Sequence, residues 1–466
     1  MVADNVELEK TLDINKYTLS KYTVSKLVER TLELRFLDNS PDLDWNVDCR
    51  HGQEKCANLQ LPFARSPLTL TRVNVKDFQI LLQADGQLHT KSITEIKFDV
   101  KKSPDFIWQP GDTIGILPYN DESDVEEFLK YLNLEDKADN LCVFQLLQES
   151  KKTKCPSHIP NRTTPREVLR DCINLRGVVK KQFLRVLAEY CSDVSDISFL
   201  KCVSSKEGSA YYNEIILQNA FTLLNILKTC KSCQPPLSLL VEHLPRLLPR
   251  EYSIASSPLI NSNEFNIIFS IFFTNPGITT KMLQSKPTQV SMYLRQPTLF
   301  CYTEDDFQND QILIAVGGAA LAPYLGFLQH KECLIEKGAS GVAGKTWLFV
   351  GAVSQQAIPH RSQLMQWLSK NVLNKFIESH SRSPSTTNSY QYIHEALNAN
   401  SKVFIDLLLQ PQTKIYICAD GSQISKALEA TICKCLSKEI NIEESEAQNI
   451  IKDYRKQNKY REDFWC

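Results

Sequence analysis

No apolar run in this chain approaches the ~20 residues that a membrane-spanning helix requires, so a helical membrane protein is excluded at the outset. Net charge is nearly absent too. Lys plus Arg number 53 and Asp plus Glu 54, and the resulting -1 gives no electrostatic reason to expect nucleic acid or an anionic membrane as a partner. The start, MVADNVELEKTLD, is acidic and has no apolar core, which excludes a signal peptide and an Arg-rich transit peptide. Glycine is scarce at this end: Gly52 stands alone in the first sixty residues, which are polar and show no strand–helix alternation. They read as a helical or partly disordered extension. Also missing is any regular spacing among the fifteen cysteines, an odd number that fits reduced thiols and a cytoplasmic location better than a disulfide framework. The Cys230-Lys-Ser-Cys233 pair has no second pair or neighbouring histidines, so two packing cysteines at a helix end is the better reading than zinc or redox chemistry. No metal site is expected.

What is present is ordinary for a globular protein of two to four domains: 466 residues, 42% hydrophobic and 23% charged. From Phe63 the pattern becomes β. Phe78-Gln-Ile-Leu-Leu-Gln leads into Asp85-Gly86, a hairpin signal, and then into Ile96-Lys-Phe98-Asp-Val100 with strict alternation. Helices start at Ser123, where Ser123-x-x-Glu126 spells a capping box, and again at Thr164-Pro165-Arg-Glu167, with cap, N1 proline and N3 glutamate in place. From Gln311 onward strands (312–316, 347–351, 376–378 and 414–418) alternate with helical pattern, which predicts a parallel, doubly wound sheet with ligands at the carboxyl ends of its strands.

Between these regions lies PPLSLLVEHLPRLLPREYSIASSP, residues 235–258. In an extended segment Arg250 and Tyr252 project to one side and Ser253 to the other. A forked cation, an aromatic face and a small hydroxyl are what a flavin with a pyrophosphate tail needs. By itself Arg-x-Tyr-Ser fits a surface strand equally well. The whole stretch, however, resembles the FAD-binding strand of the NADPH-dependent diflavin reductases, as do Gln109-Pro-Gly-Asp112, Leu325-Gly-Phe-Leu-Gln-His330, Lys414-Ile-Tyr-Ile-Cys418-Ala-Asp and the ending Asp463-Phe-Trp465. The resemblance covers about residues 60–466.

It implies a ferredoxin-reductase-like architecture. An extension (1–60) precedes an antiparallel FAD-binding barrel (61–123 and 239–302) split by a helical insertion (124–238), and a doubly wound NADPH domain (303–466) follows. FAD and NADPH are the implied cofactors. FAD contacts fall on Arg250, Glu251, Tyr252 and Ser253, on Gly277, Ile278, Thr279 and Thr280 of a pyrophosphate loop, and on Trp465, which would stack on the flavin. Lys91 is a further cofactor contact, and NADPH contacts fall on Gly317, Gly318, Ser381, Arg382, Tyr390, Tyr392 and His394. Ser253, Cys418 and Asp463 match the group the family places around the reacting flavin atom, where they position the rings while the cofactors carry the redox step.

Departures are also visible. Ala319 and Ala320 replace a threonine and a glycine of the family's cofactor turn, Val353 replaces an arginine, and Tyr390 and His394 replace a lysine and a glutamine. These weaken the expected pyrophosphate site. Sixty glycine-poor residues are also too few for the family's amino-terminal FMN domain. The implied activity is reduction of FAD by NADPH, with a cobalamin-dependent methionine synthase as acceptor and a separate FMN or flavodoxin-like carrier as a possible intermediary. Two other readings remain open: a degenerate scaffold that has lost turnover, and an FAD reductase serving a separate flavodoxin or a haem acceptor.

Overall fold

The computed structural model describes residues 12–17, 19–37, 70–103, 106–147, 155–274, 276–295, 299–382 and 390–465, with the side chains of 420, 422, 423 and 465 excepted. The chain divides into two compact units, Met1–Leu68 with Pro118–Pro249, and Thr69–Leu117 with Arg250–Cys466.

The second unit carries both sheets expected from the sequence. Six antiparallel strands lie in the order Arg250–Ser253, Thr113–Ile116, Gln289–Leu294, Thr71–Leu82, Lys91–Asp99, Glu264–Phe272. The two edges approach each other where Ile254 bridges to Ile267 and the Ala255 amide donates to the Asn266 carbonyl at 2.7 Å, so the sheet curls into a barrel. The Asp85-Gly86 signal sits in the connection between two paired antiparallel strands, and Gly86 has the positive φ of 73° that such a turn asks of glycine. Inside, Phe98, Phe106, Trp108 and Phe265 pack ring on ring, with Phe106 stacked on Phe265 at 5.3 Å.

Five parallel strands form the other sheet, in the order Lys375–His380, Thr346–Ala352, Gln311–Val316, Lys414–Asp420, Tyr460–Trp465. Four were expected. The fifth, Tyr460–Trp465, was read only as a terminal motif because its Arg-Glu-Asp centre hides the alternation of a strand. Gln311–Val316 is central and fully apolar from Ile312 to Ala315, as a strand covered on both faces should be. The helix Ala322–Glu336 lies against the barrel. A Cβ on Gly326 would come 3.1 Å from the Ser256 carbonyl oxygen, the Gln329 side chain accepts from the Ser257 amide at 3.1 Å, and Ser257 Oγ lies 2.9 Å from His330 Nδ1. Burial holds His330 down to about 4, so this imidazole is neutral at neutral pH. The Tyr324 hydroxyl lies 3.0 Å from the Ile314 carbonyl and 2.9 Å from that of Tyr416, on two adjacent central strands.

The first unit is mostly helical and corrects three expectations. The described part of the extension is not helical beyond the short turn Ile14–Lys16; Leu32–Phe36 is a strand paired antiparallel with Cys142–Leu146. Leu32 is buried, and the alternation Leu-Glu-Leu-Arg-Phe accounts for the strand. Residues 1–11 and 38–69 lie outside the described residues. The first helix, Glu122–Tyr131, is capped by Asp121, whose carboxylate accepts from the Ser123 amide at 3.0 Å, rather than by Ser123. The insertion ends at Pro249, not 238, because Leu237–His243 is a helix whose leucines join this unit's core. The Thr164 capping box forms as expected, with its helix Pro165–Glu167 passing at once into the wider turn Val168–Cys172. Entry and exit of this insertion are neighbours in the other unit's barrel, where Ile116 is the register partner of Arg250.

A buried ion pair supports the nucleotide sheet. Asp306, 2% exposed, meets Lys414 at the start of a central strand and accepts from the Thr303 amide at 2.9 Å. Burial pushes this carboxyl up, but Lys414 and the Thr303 amide outweigh it and its pKa lies below the ordinary value. A carboxylate with a depressed folded pKa stabilises the fold above its unfolded pKa and loses that contribution as pH falls through the folded value. Lys414→Met leaves the charge unpaired and should cost about 3–5 kcal/mol at pH 7. Urea unfolding at two pH values checks this: the gap between the two proteins should narrow below about pH 4.

Candidate functional site

The strand Arg250–Ser253 forms the barrel edge beside Thr113–Ile116, and alternation decides what each residue meets. Arg250 and Glu251 are exposed, Tyr252 is half-buried with its ring 5.5 Å from Phe269, and Ser253 is buried. Glu251 is held by Arg295 at 2.7 Å, an exposed pair that fixes the strand's outer side. Ser253 Oγ donates to Asp463 Oδ2 at 3.0 Å, across 210 residues of sequence. Asp463 in turn is the register partner of Cys418 on the adjacent parallel strand. Ser253, Cys418 and Asp463, far apart in the chain, thus come together. Cys418 is fully buried, and burial first, the Asp463 carboxylate second, push its thiol well above the ordinary value, so at neutral pH it is a protonated thiol and not a thiolate nucleophile. The Trp465 side chain lies outside the described residues.

Residues of the pyrophosphate loop open the helix Ile278–Gln284 with Gly277 at its cap. Thr280 Oγ1 donates back to the Gly277 carbonyl at 2.8 Å. The buried Thr279 hydroxyl approaches the Tyr252 phenol without a hydrogen bond of good geometry, and so stays unsatisfied. An orphaned hydroxyl beside a half-exposed tyrosine suits a polar ligand laid along this strand. Gly277 itself has an ordinary backbone conformation and room for a Cβ, so nothing local requires glycine there.

At the carboxyl end of Gln311–Val316 the chain turns at Gly317, with φ 109°, into Gly318. A Cβ on Gly318 would stand 2.3 Å from the Ala357 carbonyl oxygen and 2.6 Å from Ile93 Cδ1, so only glycine lets the turn pack between barrel and sheet. Beside it lies a cavity of about 290 Å³ whose lining includes Lys91, Gly317, Gly318, Val353 and Arg382. Two cations and no carboxylate line it among the described residues, which is the electrostatics of an anion site. Arg382 is steadied by the Leu88 carbonyl at 3.3 Å, and Lys91 lies 4.4 Å above the Phe272 ring. The two alanines of this turn are buried, Ala320 within the core, so the turn is filled by methyl groups where a hydroxyl and a bare backbone were the family pattern.

Ser381 joins this region through its amide, which donates to Ala352 at 2.9 Å. Tyr390, Tyr392 and His394 do not line the cavity. The Tyr390 hydroxyl accepts from Asn400 at 3.3 Å, while Tyr392 stacks on exposed His394 at 5.5 Å. Sequence reasoning missed His89, which is buried beside the cavity with Nδ1 3.0 Å from Asp85 and Nε2 2.8 Å from Ser354 Oγ. The spacing Asp85-x-x-x-His89 was the available signal.

A protein-family model for the FAD binding domain matches residues 69–276, which include Lys91 and the whole Arg250–Ser253 strand. The chain thus carries an FAD binding domain over these residues. It is 31% identical to methionine synthase reductase of Rattus norvegicus over 427 residues and 29% identical to that of Homo sapiens over 425, covering 83% of this chain and 61% of each relative. NADPH–cytochrome P450 reductase of Drosophila melanogaster is 27% identical over 401 residues, 82% of this chain and 57% of that protein. The chain therefore spans about three fifths of the length of these reductases. Among the described residues no helix is long and apolar enough to cross a membrane.

The FAD binding domain match and the geometry agree on FAD. The Arg250 cation and the Tyr252 ring lie along one strand, the orphaned Thr279 hydroxyl stands in the helix Ile278–Gln284 beside that ring, and the residues present fit the group. The Gly318 contact gives a direct check of the second cleft. Gly318→Ala must displace the Ala357 backbone or Ile93, and should cost about 1–3 kcal/mol. It should also abolish retention on an immobilised 2′,5′-ADP resin while FAD stays bound.

Proposed function

We propose that this chain passes electrons from NADPH to FAD as a step in the reductive reactivation of a cobalamin-dependent methionine synthase. The Ser253–Asp463 hydrogen bond, with Cys418 opposite Asp463 in register, carries the reading. FAD, when bound, supplies the redox chemistry. Residues of this chain bind and orient. Arg250 offers its guanidinium to phosphate, Tyr252 its ring and phenol, and Thr279 a hydroxyl that lacks a partner. Asp463 holds the Ser253 hydroxyl in one orientation and keeps a negative charge near the thiol of Cys418, which stays protonated and presents a neutral sulfur to an incoming nicotinamide. Lys91 and Arg382, lining one cavity, suit the phosphates of NADPH, and Arg382 with Ser381 suits a 2′-phosphate that NADH lacks.

Similarity to methionine synthase reductases supports the acceptor. The P450 reductase relatives favour a second reading, in which a haem protein or a separate flavodoxin takes the electrons. Ala319, Ala320 and Val353 favour a third, a scaffold that holds FAD without turnover.

Arg250→Ala removes a charged contact worth about 1.5–3 kcal/mol, and should lower FAD affinity roughly ten- to a hundredfold in a titration of the flavin spectrum. Stopped-flow reduction of the bound flavin should favour NADPH over NADH, and Arg382→Ala should erase the preference. A colourless protein that takes up no FAD, or one whose flavin NADPH leaves oxidised, supports the scaffold. Reduction of methionine synthase should need an FMN-bearing carrier, since a cobalamin centre takes one electron at a time, whereas ferricyanide should be reduced with FAD alone. A cytochrome reduced faster than methionine synthase under the same conditions would move the assignment to a haem acceptor.

A further inference from the structure

The helical unit holds a thiol arrangement that the Cys230-Lys-Ser-Cys233 spacing conceals. Cys233 has its closest chemical relation with Cys191, 42 residues earlier in the sequence. The Gln234 amide donates to the Tyr190 carbonyl at 2.9 Å, and the Ser192 and Asp193 amides donate to Ser232 Oγ at 3.2 and 3.0 Å. Segments 190–193 and 232–234 therefore run side by side and set 191 and 233 next to each other. Both sulfurs also converge on one acceptor, the Leu187 carbonyl oxygen, at 3.5 Å from Cys191 and 3.6 Å from Cys233. Sharing this acceptor makes the two sulfurs neighbours.

We propose that Cys191 and Cys233 are a redox-modification site, where a hydroperoxide joins the two sulfurs into a disulfide between the end of the helical run 181–190 and the loop that leads into Leu237–His243. Cys191 is the attacking partner. It is half-buried, within reach of a small oxidant, whereas Cys233 is 2% exposed. The neighbouring Cys233 lowers its pKa against the opposing effects of burial and of Asp196 and Asp193. In the first step Cys191 gives its thiol proton to solvent, the thiolate attacks a peroxide oxygen, the O–O bond breaks, and the leaving hydroxide takes a proton back to become water, leaving a sulfenic acid on Cys191. In the second, the Cys233 sulfur displaces that hydroxyl as a second water while its proton is released to the leaving oxygen. Two thiols are oxidised by two electrons, and one hydrogen peroxide becomes two waters.

The test uses the full chain loaded with FAD. It is treated with hydrogen peroxide, alkylated, digested without reductant and mapped by mass. The expected product is a 191–233 cross-linked peptide about 2 Da below the sum of its parts, reversed by dithiothreitol. Thermal unfolding of the oxidised protein should shift upward by roughly 5 °C. Cys191→Ser should abolish the cross-link and Cys230→Ser should leave it. Should Cys191→Ser fail to fold, differential alkylation of the unmutated protein decides instead, because the thiols at 191 and 233 must disappear together. A Cys230–Cys233 bridge, or both thiols remaining alkylatable after peroxide, overturns the proposal.

Discussion

The backbone contact at Gly326 is the constraint on which the candidate site depends. There the helix that follows the cofactor turn comes against Ser256, three residues beyond Ser253, so close that a Cβ on Gly326 would lie 3.1 Å from the Ser256 carbonyl oxygen. The contact is locked by the Ser257–His330 and Ser257–Gln329 hydrogen bonds, whose imidazole partner is neutral and so adds no buried charge. Barrel and parallel sheet meet here, and close by the Ser253 hydroxyl reaches the carboxylate of Asp463. The most recognisable helical motif of the sequence, Leu-Gly-Phe-Leu-Gln-His, is a packing device. Its chemistry is to place someone else's chemistry.

Much of this was legible beforehand, and what was legible had a local physical cause. Alternation at Ile96–Val100, the Thr164-Pro165 cap and the apolar run at 312–315 each dictate structure from neighbours a few residues away. The Ser253, Cys418 and Asp463 group was reached only through family resemblance, because no periodicity links residues separated by 210 positions. Asp121 displaced Ser123 as helix cap because both residue types accept amide protons, and pattern alone cannot say which turn comes first. His89 escaped notice for another reason: its partner Ser354 lies 265 residues away, and the Asp85-x-x-x-His89 spacing marks only its local half.

The cavity beside Gly318 shows how a site can keep cations in its lining while offering few donors at short range. Lys91 and Arg382 remain, on two separate elements, so the attraction for an anion persists. The turn that would meet the ligand at short range presents the methyl groups of Ala319 and Ala320. Long-range attraction sets encounter, whereas short, directed hydrogen bonds set residence, so the two can change independently.

The register pairing of Ile116 with Arg250 bears on how this architecture can vary. Topologically, everything from Pro118 to Pro249 is the loop of a β-hairpin whose stem is already closed by ladder hydrogen bonds. Loop-closure entropy rises only by about 0.6 kcal/mol for each doubling of length. Residues can therefore be added to or removed from the helical unit with little penalty to the barrel, provided its own core is kept. Descent with large differences in the size of this insertion, around an unchanged pair of sheets, is what that geometry permits.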